Sequence, residues 1–298
     1  MSITISGRRL AGVELGGTKA IVVVADGLDI VERVTIPTTT PDETLGRAID
    51  VLAKWQFDAI GIGSFGPVRV NPGAADFGTI LDTPKPGWRG AKVLAPFAER
   101  FDCPVALDTD VNAAGMAEAA VGAGRGCRTV VYLTVGTGVG AGIVVDGRPV
   151  TGRLHPELGH LSLRRAAGDG FAGSCPFHRD CIEGLISGPA LAARFGGNPV
   201  DVDRADTRWD MVAQDFAELF AMLMFTLSPE RIVIGGSVAL GQPDVMARAT
   251  VAAADRLTGY IPDYDAAALK QIVVPPALGH DAGPLGTIFL AESALQSR

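Results

Sequence analysis

The sequence predicts an α/β protein made of two similarly planned halves, and three observations carry that expectation. Apolar residues make up 47% of the chain but aromatics only 6%, so the interior is built from Ala, Val, Ile, Leu and Gly. Short strand-like apolar runs alternate with stretches of helical spacing from end to end. Each half also opens with an apolar run, a glycine turn, a second apolar run and an Asp-Gly turn, which suggests a duplicated plan. At 298 residues the chain has room for one or two domains and a large buried core.

Leu10–Leu15 and Ala20–Ala25 are apolar runs joined by Gly16-Gly17-Thr18-Lys19. Asp26-Gly27 turns the chain again before Ile30–Ile36, giving a three-stranded antiparallel start. Asp42–Lys54 places Leu45, Ile49 and Leu52 at helical spacing. Ala59–Ile62 reads as a buried strand, Ala91–Arg100 as a helix, Val105–Leu107 as a strand and Val111–Val121 as a small-residue helix. The plan then restarts: strands Thr129–Val135 and Gly140–Val145 flank Gly136-Thr137-Gly138, and Asp146-Gly147 supplies the following turn. Helices are predicted near Ile182–Phe195 and Trp209–Leu227, a strand at Arg231–Ile234 and a helix from Asp244. A strand at Gln271–Val274 and a closing helix from Pro284 to Leu295 complete the chain.

A net charge of −7 argues against a nucleic-acid partner, because phosphate contacts need clustered Lys and Arg. No apolar run reaches membrane-spanning length, and Met1–Gly7 lacks the apolar core of a signal peptide. With four cysteines in all, the expectation is a cytoplasmic protein without disulfides, Cys103 and Cys127 being buried or free thiols.

Two glycine turns share one logic. Gly16-Gly17-Thr18-Lys19 and Gly136-Thr137-Gly138 each expose backbone N–H groups beside a Thr hydroxyl, which together make an anion nest for phosphate. Neither is a P-loop, since no Gly-Lys-Ser/Thr occurs. Gly136-x-Gly138-x-x-Ala141 imitates a dinucleotide fingerprint, but strand rather than helix follows it. Gly235-Gly236-Ser237, after a strand and before a helix, lets a base or ribose approach the backbone. In Asp108-Thr109-Asp110-Val111-Asn112, Asp110 or Thr109 is a candidate helix cap, and the alternative is a carboxylate placed to take a proton from a hydroxyl nucleophile. Cys175, His178 and Cys181, with His155 or His160 upstream, form a Cys₂His₂ set suited to tetrahedral Zn²⁺. Glu157 and Glu183 bracket that set as candidate holders of sugar hydroxyls.

Five motifs occur in order: Glu14-x-Gly-Gly-Thr-Lys19, Gly61-Ile-Gly-Ser-Phe-Gly-Pro67, Thr109-Asp-Val-Asn-Ala-Ala114, Thr134-Val-Gly-Thr-Gly-Val-Gly-Ala-Gly142 and Glu157-x-Gly-His160. With the Cys/His block and Ile234-Gly-Gly236 they resemble the ROK family of sugar kinases and repressors, over nearly the whole chain from Leu10 to Leu295. His155-Pro-Glu-Leu-Gly-His160, Cys175-Pro-Phe-His178-x-x-Cys181-x-Glu183 and Ser187-Gly-Pro-Ala190 are most similar to its zinc-containing bacterial fructokinases.

The resemblance implies an actin-like ATPase/hexokinase (ribonuclease H-like) fold, with two domains, a cleft between them and a zinc-binding loop. It places an N-terminal domain at residues 1–110, with the C-terminal helix 284–298 packing back on it, and a second domain at 111–283 carrying a zinc loop at 155–183. The implied reaction is ATP- and Mg²⁺-dependent phosphorylation of D-fructose to D-fructose 6-phosphate. Glucose, mannose or an N-acyl hexosamine is the alternative substrate. A sugar-sensing repressor would need an N-terminal helix-turn-helix, and few residues precede Glu14.

By the same resemblance Asp110 is the general base. Gly16, Gly17, Thr18, Lys19, Gly136, Thr137 and Gly138 hold phosphate, while Pro189, Gly235 and Gly236 flank the adenosine. Asn112, Glu157, His160 and Glu183 hold sugar, His160 with Cys175, His178 and Cys181 holds zinc, and the family implies a homodimer. Two departures stand out: Glu14 replaces the usual Asp, and Cys175-x-x-His178-x-x-Cys181 replaces the more usual Cys-x-Cys-Gly-x-x-Gly-Cys knuckle.

Overall fold

The computed structural model describes residues 5–257 and 259–296; the expectations for residues 1–4 and for the last two of helix 284–298 lie outside the described residues. In chain order the elements are β1 (Arg9–Leu15), β2 (Lys19–Asp26), β3 (Asp29–Pro37), α1 (Pro41–Leu52), β4 (Ile60–Ser64), α2 (Ala95–Arg100), β5 (Val105–Thr109), α3 (Asp110–Val121), β6 (Thr129–Val135), β7 (Val139–Val145) and β8 (Arg148–Pro149). They continue with α4 (Ile182–Ile186), α5 (Gly188–Phe195), α6 (Arg208–Leu227), β9 (Arg231–Gly235), α7 (Ser237–Gly241), α8 (Pro243–Leu257), α9 (Ala266–Ile272), β10 (Val273–Val274) and α10 (Ala282–Gln296). No helix among the described residues is long and apolar enough to cross a membrane.

Two five-stranded sheets result, in the orders β3-β2-β1-β4-β5 and β10-β9-β6-β7-β8. Renumbered within its own half, the second order is the first read backwards, so the duplicated plan extends to strand topology. In the first sheet β1 pairs antiparallel with β2 and parallel with β4, and β4 runs parallel to β5. The carboxyl ends of β1, β4 and β5 therefore lie along one edge. β1 is buried nearly throughout, whereas β3 shows the alternating exposure of an edge strand with one wet face.

The chain divides into two compact units, the first formed by Met1–Gly126, Gly142–Pro156 and Ala277–Arg298, the second by Cys127–Ala141 and Glu157–Pro276. The division differs from an expected boundary after residue 110, and close glycine packing explains why α3 stays with the first unit. A Cβ on Gly286 of α10 would lie 2.1 Å from the Ala113 carbonyl of α3, and one on Gly61 of β4 would lie 1.9 Å from that of Thr287. The absence of side chains thus lets α10 seat directly on the sheet and on α3. The first unit's main core gathers Trp88, Phe97, Ile60, Ile62 and Leu15; the second's gathers Trp209, Phe216, Phe220, Leu185 and Ile234.

Several element limits differ from expectation for local reasons. Residues 91–94 are not helical, because Ile80 N–H donates to Ala91 O and Val93 N–H to Gly78 O, so this stretch pairs with 78–80 instead. The helix near Ile182–Phe195 is two, since Pro189 has no N–H to continue the bonding of the preceding turn and Ser187 caps α5, its Oγ accepting from Ala190 N. Half of the expected strand Gln271–Val274 forms as β10; Gln271 and Ile272 belong to α9, which starts where Asp265 accepts from Ala268 N at 2.8 Å.

Candidate active site

The first unit presents a nest of backbone N–H groups at the β1–β2 turn. Gly16 N–H closes the turn on Lys19 O at 3.0 Å. The other carbonyls are taken from behind: Gly16 O by Thr38 Oγ1 at 2.8 Å, Gly17 O by Lys85 Nζ, and Thr18 O by Thr38 N at 3.0 Å. The N–H groups of Gly17 and Thr18 meet no acceptor among the described residues, and both residues are exposed. Carbonyls held on one side and N–H groups free on the other make an anion site.

Along the same edge sit three carboxyls. Thr109 caps α3 by accepting from Asn112 N at 3.1 Å, which sets Asp110 as the helix's first residue. Burial pushes Asp110 up to about 6, against the opposing pull of the Val111 N–H that donates to Oδ1 at 2.9 Å. Burial and then the nearby charge of Asp110 push Glu14 up to about 7, with Lys19 and Arg33 opposing. Glu14 Oε2 is buried without a hydrogen-bond partner. Room for this longer carboxylate exists because residue 283 is Gly: a Cβ there would lie 2.2 Å from Glu14 Oε1. Asp108 is likewise pushed up to about 6 by burial, and it accepts from Asn112 Nδ2 at 2.7 Å. Asn112 is fully buried, its amide nitrogen is used on Asp108, and its Oδ1 alone lacks a partner. A carboxyl near 6 is ionised at neutral pH and still basic enough to take a hydroxyl proton.

In the second unit the β6–β7 turn repeats the construction with different parts. Gly136 N–H donates to Gly138 O at 2.9 Å, and Gly136 O accepts from Gly188 N at 2.7 Å. Glu183 Oε2 accepts from Val139 N at 3.0 Å and would lie 2.9 Å from a Cβ on Gly138. Thr137 and Gly138 keep their N–H groups without an acceptor among the described residues. Gly188 opens α5 beside exposed Pro189, and Ser237 at the start of α7 comes within 3.6 Å of where a Gly136 Cβ would be. Gly236, at φ 89°, holds a backbone shape that L side chains rarely adopt. Gly136, Gly188, Pro189, Gly236 and Ser237 thus converge on one backbone-lined surface.

His160, Cys175, His178 and Cys181 come together, their ligand atoms all within 4.8 Å of one another. His160 Nδ1 is 3.6 Å from Cys181 Sγ and 3.9 Å from Cys175 Sγ. Tetrahedral zinc with its usual bond lengths needs neighbouring ligand atoms about 3.4 to 3.8 Å apart, so the donor set and spacing fit Zn²⁺. His155 lies elsewhere: it is buried in the first unit and its Nε2 accepts from Val68 N at 3.2 Å. Of the two candidate fourth ligands, His160 is the one in the cluster. Glu157, just before it, is exposed.

Sequence reasoning missed two features. Lys85 is one, and its signal was a cation held between two prolines in Thr83-Pro84-Lys85-Pro86-Gly87-Trp88. The other is Arg194, which donates to Asp215 at 2.7 Å and to Asp169 at 3.3 Å while Arg165 donates to Asp169 at 2.6 Å. These buried ions fasten the segment before Cys175 onto α5 and α6. They gave no sequence signal, because charged residues at helical spacing read as a solvated face.

The ROK family model matches residues 10–294. The chain is 39% identical to the fructokinase of Zymomonas mobilis over 294 residues, covering 95% of this chain and 96% of that protein. It is 37% identical to the fructokinase of Pediococcus pentosaceus over 289 residues, covering 97% and 99%. The crystal structure of the ROK hexokinase from Thermus thermophilus superposes with a TM-score of 0.81 at 26% identity, covering 97% of this chain and 100% of that one.

Proposed function

We infer that this chain, which belongs to the ROK family, transfers the γ-phosphoryl group of ATP to the 6-hydroxyl of fructose. One observation carries the reading: a nest of free N–H groups at Gly17 and Thr18 shares a sheet edge with the raised carboxyl of Asp110. That pairing is what phosphoryl transfer to an alcohol asks of a protein, since positioning and charge stabilisation do most of the work.

Asp110 takes the proton of the sugar hydroxyl as the oxygen attacks the γ-phosphorus. The bond to the bridging oxygen breaks, ADP leaves, and the proton remains on the carboxyl until water removes it. Gly16, Gly17, Thr18 and Lys19 hold phosphate oxygens in the first unit; Gly136, Thr137 and Gly138 do so in the second. Pro189, Gly235 and Gly236 flank the adenosine, where glycine backbone admits a flat ring. Glu157, His160 and Glu183 hold sugar hydroxyls; Glu183 has one oxygen on Val139 N and the other available. Asn112 contributes through its orphan Oδ1 or by keeping Asp108 in place.

Mg²⁺ fits the first unit's edge, where the orphan Glu14 Oε2 is the carboxylate oxygen that would hold it. When bound, it neutralises charge on the β- and γ-phosphates. Zn²⁺ fits the Cys₂His₂ cluster, where it would lock His160 in place. The reading places the enzyme in the cytoplasm, where ATP is.

Fructose is preferred to glucose on the strength of the two fructokinase relatives, whose identities exceed that of the hexokinase. An ATP-coupled panel of hexoses tests this by comparing kcat/KM. Fructose should lead by at least about tenfold, because a pocket built to hydrogen-bond particular hydroxyls penalises any analogue that leaves one of those groups unpaired. Glucose, mannose or an N-acyl hexosamine leading by tenfold would remove fructose and leave the kinase.

A further inference from the structure

We propose that Lys85 is a positioning residue for phosphate transfer, one that aims the first nest at the polyphosphate and adds a positive charge behind it. The proposal rests on the placement of ATP phosphates at the Gly16–Lys19 turn.

A peptide is planar, with its C=O and the following N–H pointing opposite ways. Whatever grips the Gly17 carbonyl therefore aims the Thr18 N–H, and whatever grips the Gly16 carbonyl aims the Gly17 N–H. Thr38 Oγ1 grips the second, at 2.8 Å, with a neutral hydroxyl. Lys85 Nζ grips the first and also reaches Thr38 O at 3.4 Å. Its ammonium thus polarises the very peptide whose N–H faces outward, and an N–H on a polarised peptide is a stronger donor.

The lysine is held rather than draped. Pro84 and Pro86 restrict the backbone on either side of it. Trp88, three residues on, is fully buried, donates from Nε1 to Thr39 O at 2.8 Å and takes the edge of Phe65 at 5.1 Å. So the segment carrying Lys85 is docked on the residues that follow β3, next to the turn. A turn carbonyl near solvent needs no lysine, because water satisfies it. An ammonium there has a further consequence: it strengthens the site for a polyanion, and more so for ATP than for an uncharged nucleoside.

That difference is the test. Lys85→Met and Lys85→Arg are compared with wild type for equilibrium binding of a non-hydrolysable ATP analogue and of adenosine, and for kcat and both KM values. Lys85→Met should weaken the ATP analogue about tenfold or more while adenosine stays within about twofold, as expected for loss of a charge-assisted contact. Its kcat should fall about ten- to a hundredfold, as when one preorganised donor is lost, with the fructose KM within about threefold. Lys85→Arg should restore most of the ATP affinity. Equal weakening of the ATP analogue and adenosine, no weakening of either, or an arginine variant no better than the methionine one would overturn the proposal. Should Lys85→Met fail to fold, Lys85→Gln, which keeps a donor without the charge, carries the same comparison. A wild-type chain that binds adenosine as tightly as the ATP analogue would overturn the nucleotide placement and the proposal with it.

Discussion

The two glycine turns occupy the same place in the same strand order, yet they are built for different tasks. Glu14-Leu15-Gly16 at the end of β1 matches Thr134-Val135-Gly136 at the end of β6. Where the first unit has a raised carboxyl, the second has a hydroxyl. The first turn is gripped from behind by a hydroxyl and an ammonium, Thr38 and Lys85. The second is gripped by backbone at Gly188 and bordered by the Glu183 carboxylate. Cations suit a turn that meets the more highly charged phosphates, whereas a carboxylate beside the other suits a site shared with neutral hydroxyls. The difference teaches that the two units share a strand order while the side chains around each turn differ; on the proposed function, reaction chemistry falls to the first unit and recognition to the second.

The comparison predicts that damage to the first unit shows mainly in kcat and damage to the second mainly in KM. The largest effect is expected from Asp110→Asn. It should lower kcat by about two to four orders of magnitude, the usual worth of a positioned base, with no loss of affinity for ATP or of thermal stability. Activity within tenfold of wild type would end the assignment of chemistry to this edge.

Next in size is the metal cluster. Elemental analysis should find about one Zn²⁺ per chain, and Cys181→Ser should lose it. The fructose KM should then rise about ten- to a hundredfold, because His160 loses the metal ion that would orient it, with a smaller change in kcat. A variant that sheds zinc and loses kcat alone would break the division of labour. Metal retained in His160→Ala would place the fourth ligand elsewhere.

The smallest effect concerns stability against pH at Glu14. Its folded value of about 7 lies above the ordinary carboxyl range, so the folded state holds a proton that the unfolded chain has released. Stability from this group is full below about pH 4, at the unfolded value, and is lost as pH rises through about 7. Glu14→Gln should therefore match wild type near pH 4 and exceed it at pH 8 by about 1 to 3 kcal/mol in urea unfolding. The corresponding Thr134→Val change in the second unit should show no such pH dependence. A Glu14→Gln variant less stable than wild type at pH 8 would mean that the ionised carboxylate is paired.

Much of the fold is legible in the sequence. Strand and helix periods, the Gly turns and the Asp-Gly repeats are local patterns, and a local pattern selects backbone conformation through neighbours a few residues away. The Cys175, His178 and Cys181 spacing is equally legible, because three ligands within seven residues reach one ion with little help from the rest of the chain.

Tertiary structure decided what depends on residues far apart in sequence. His155 and His160 look alike as ligands, and only the course of the chain buries one against Val68 and brings the other to Cys175 and Cys181. Residues 91–94 have helix-compatible composition, but pairing with 78–80 outweighs a propensity worth only tenths of a kcal/mol per residue. The raised carboxyls of Glu14, Asp108 and Asp110 arise from desolvation, which depends on what packs around a group and not on its neighbours in sequence. Lys85 and Gly17 are 68 positions apart, and no period or motif connects them. The sequence by itself determined the elements, the turns and the kinds of chemistry available. Folding decided which groups meet and at what charge, because contact and dielectric are properties of the packed chain.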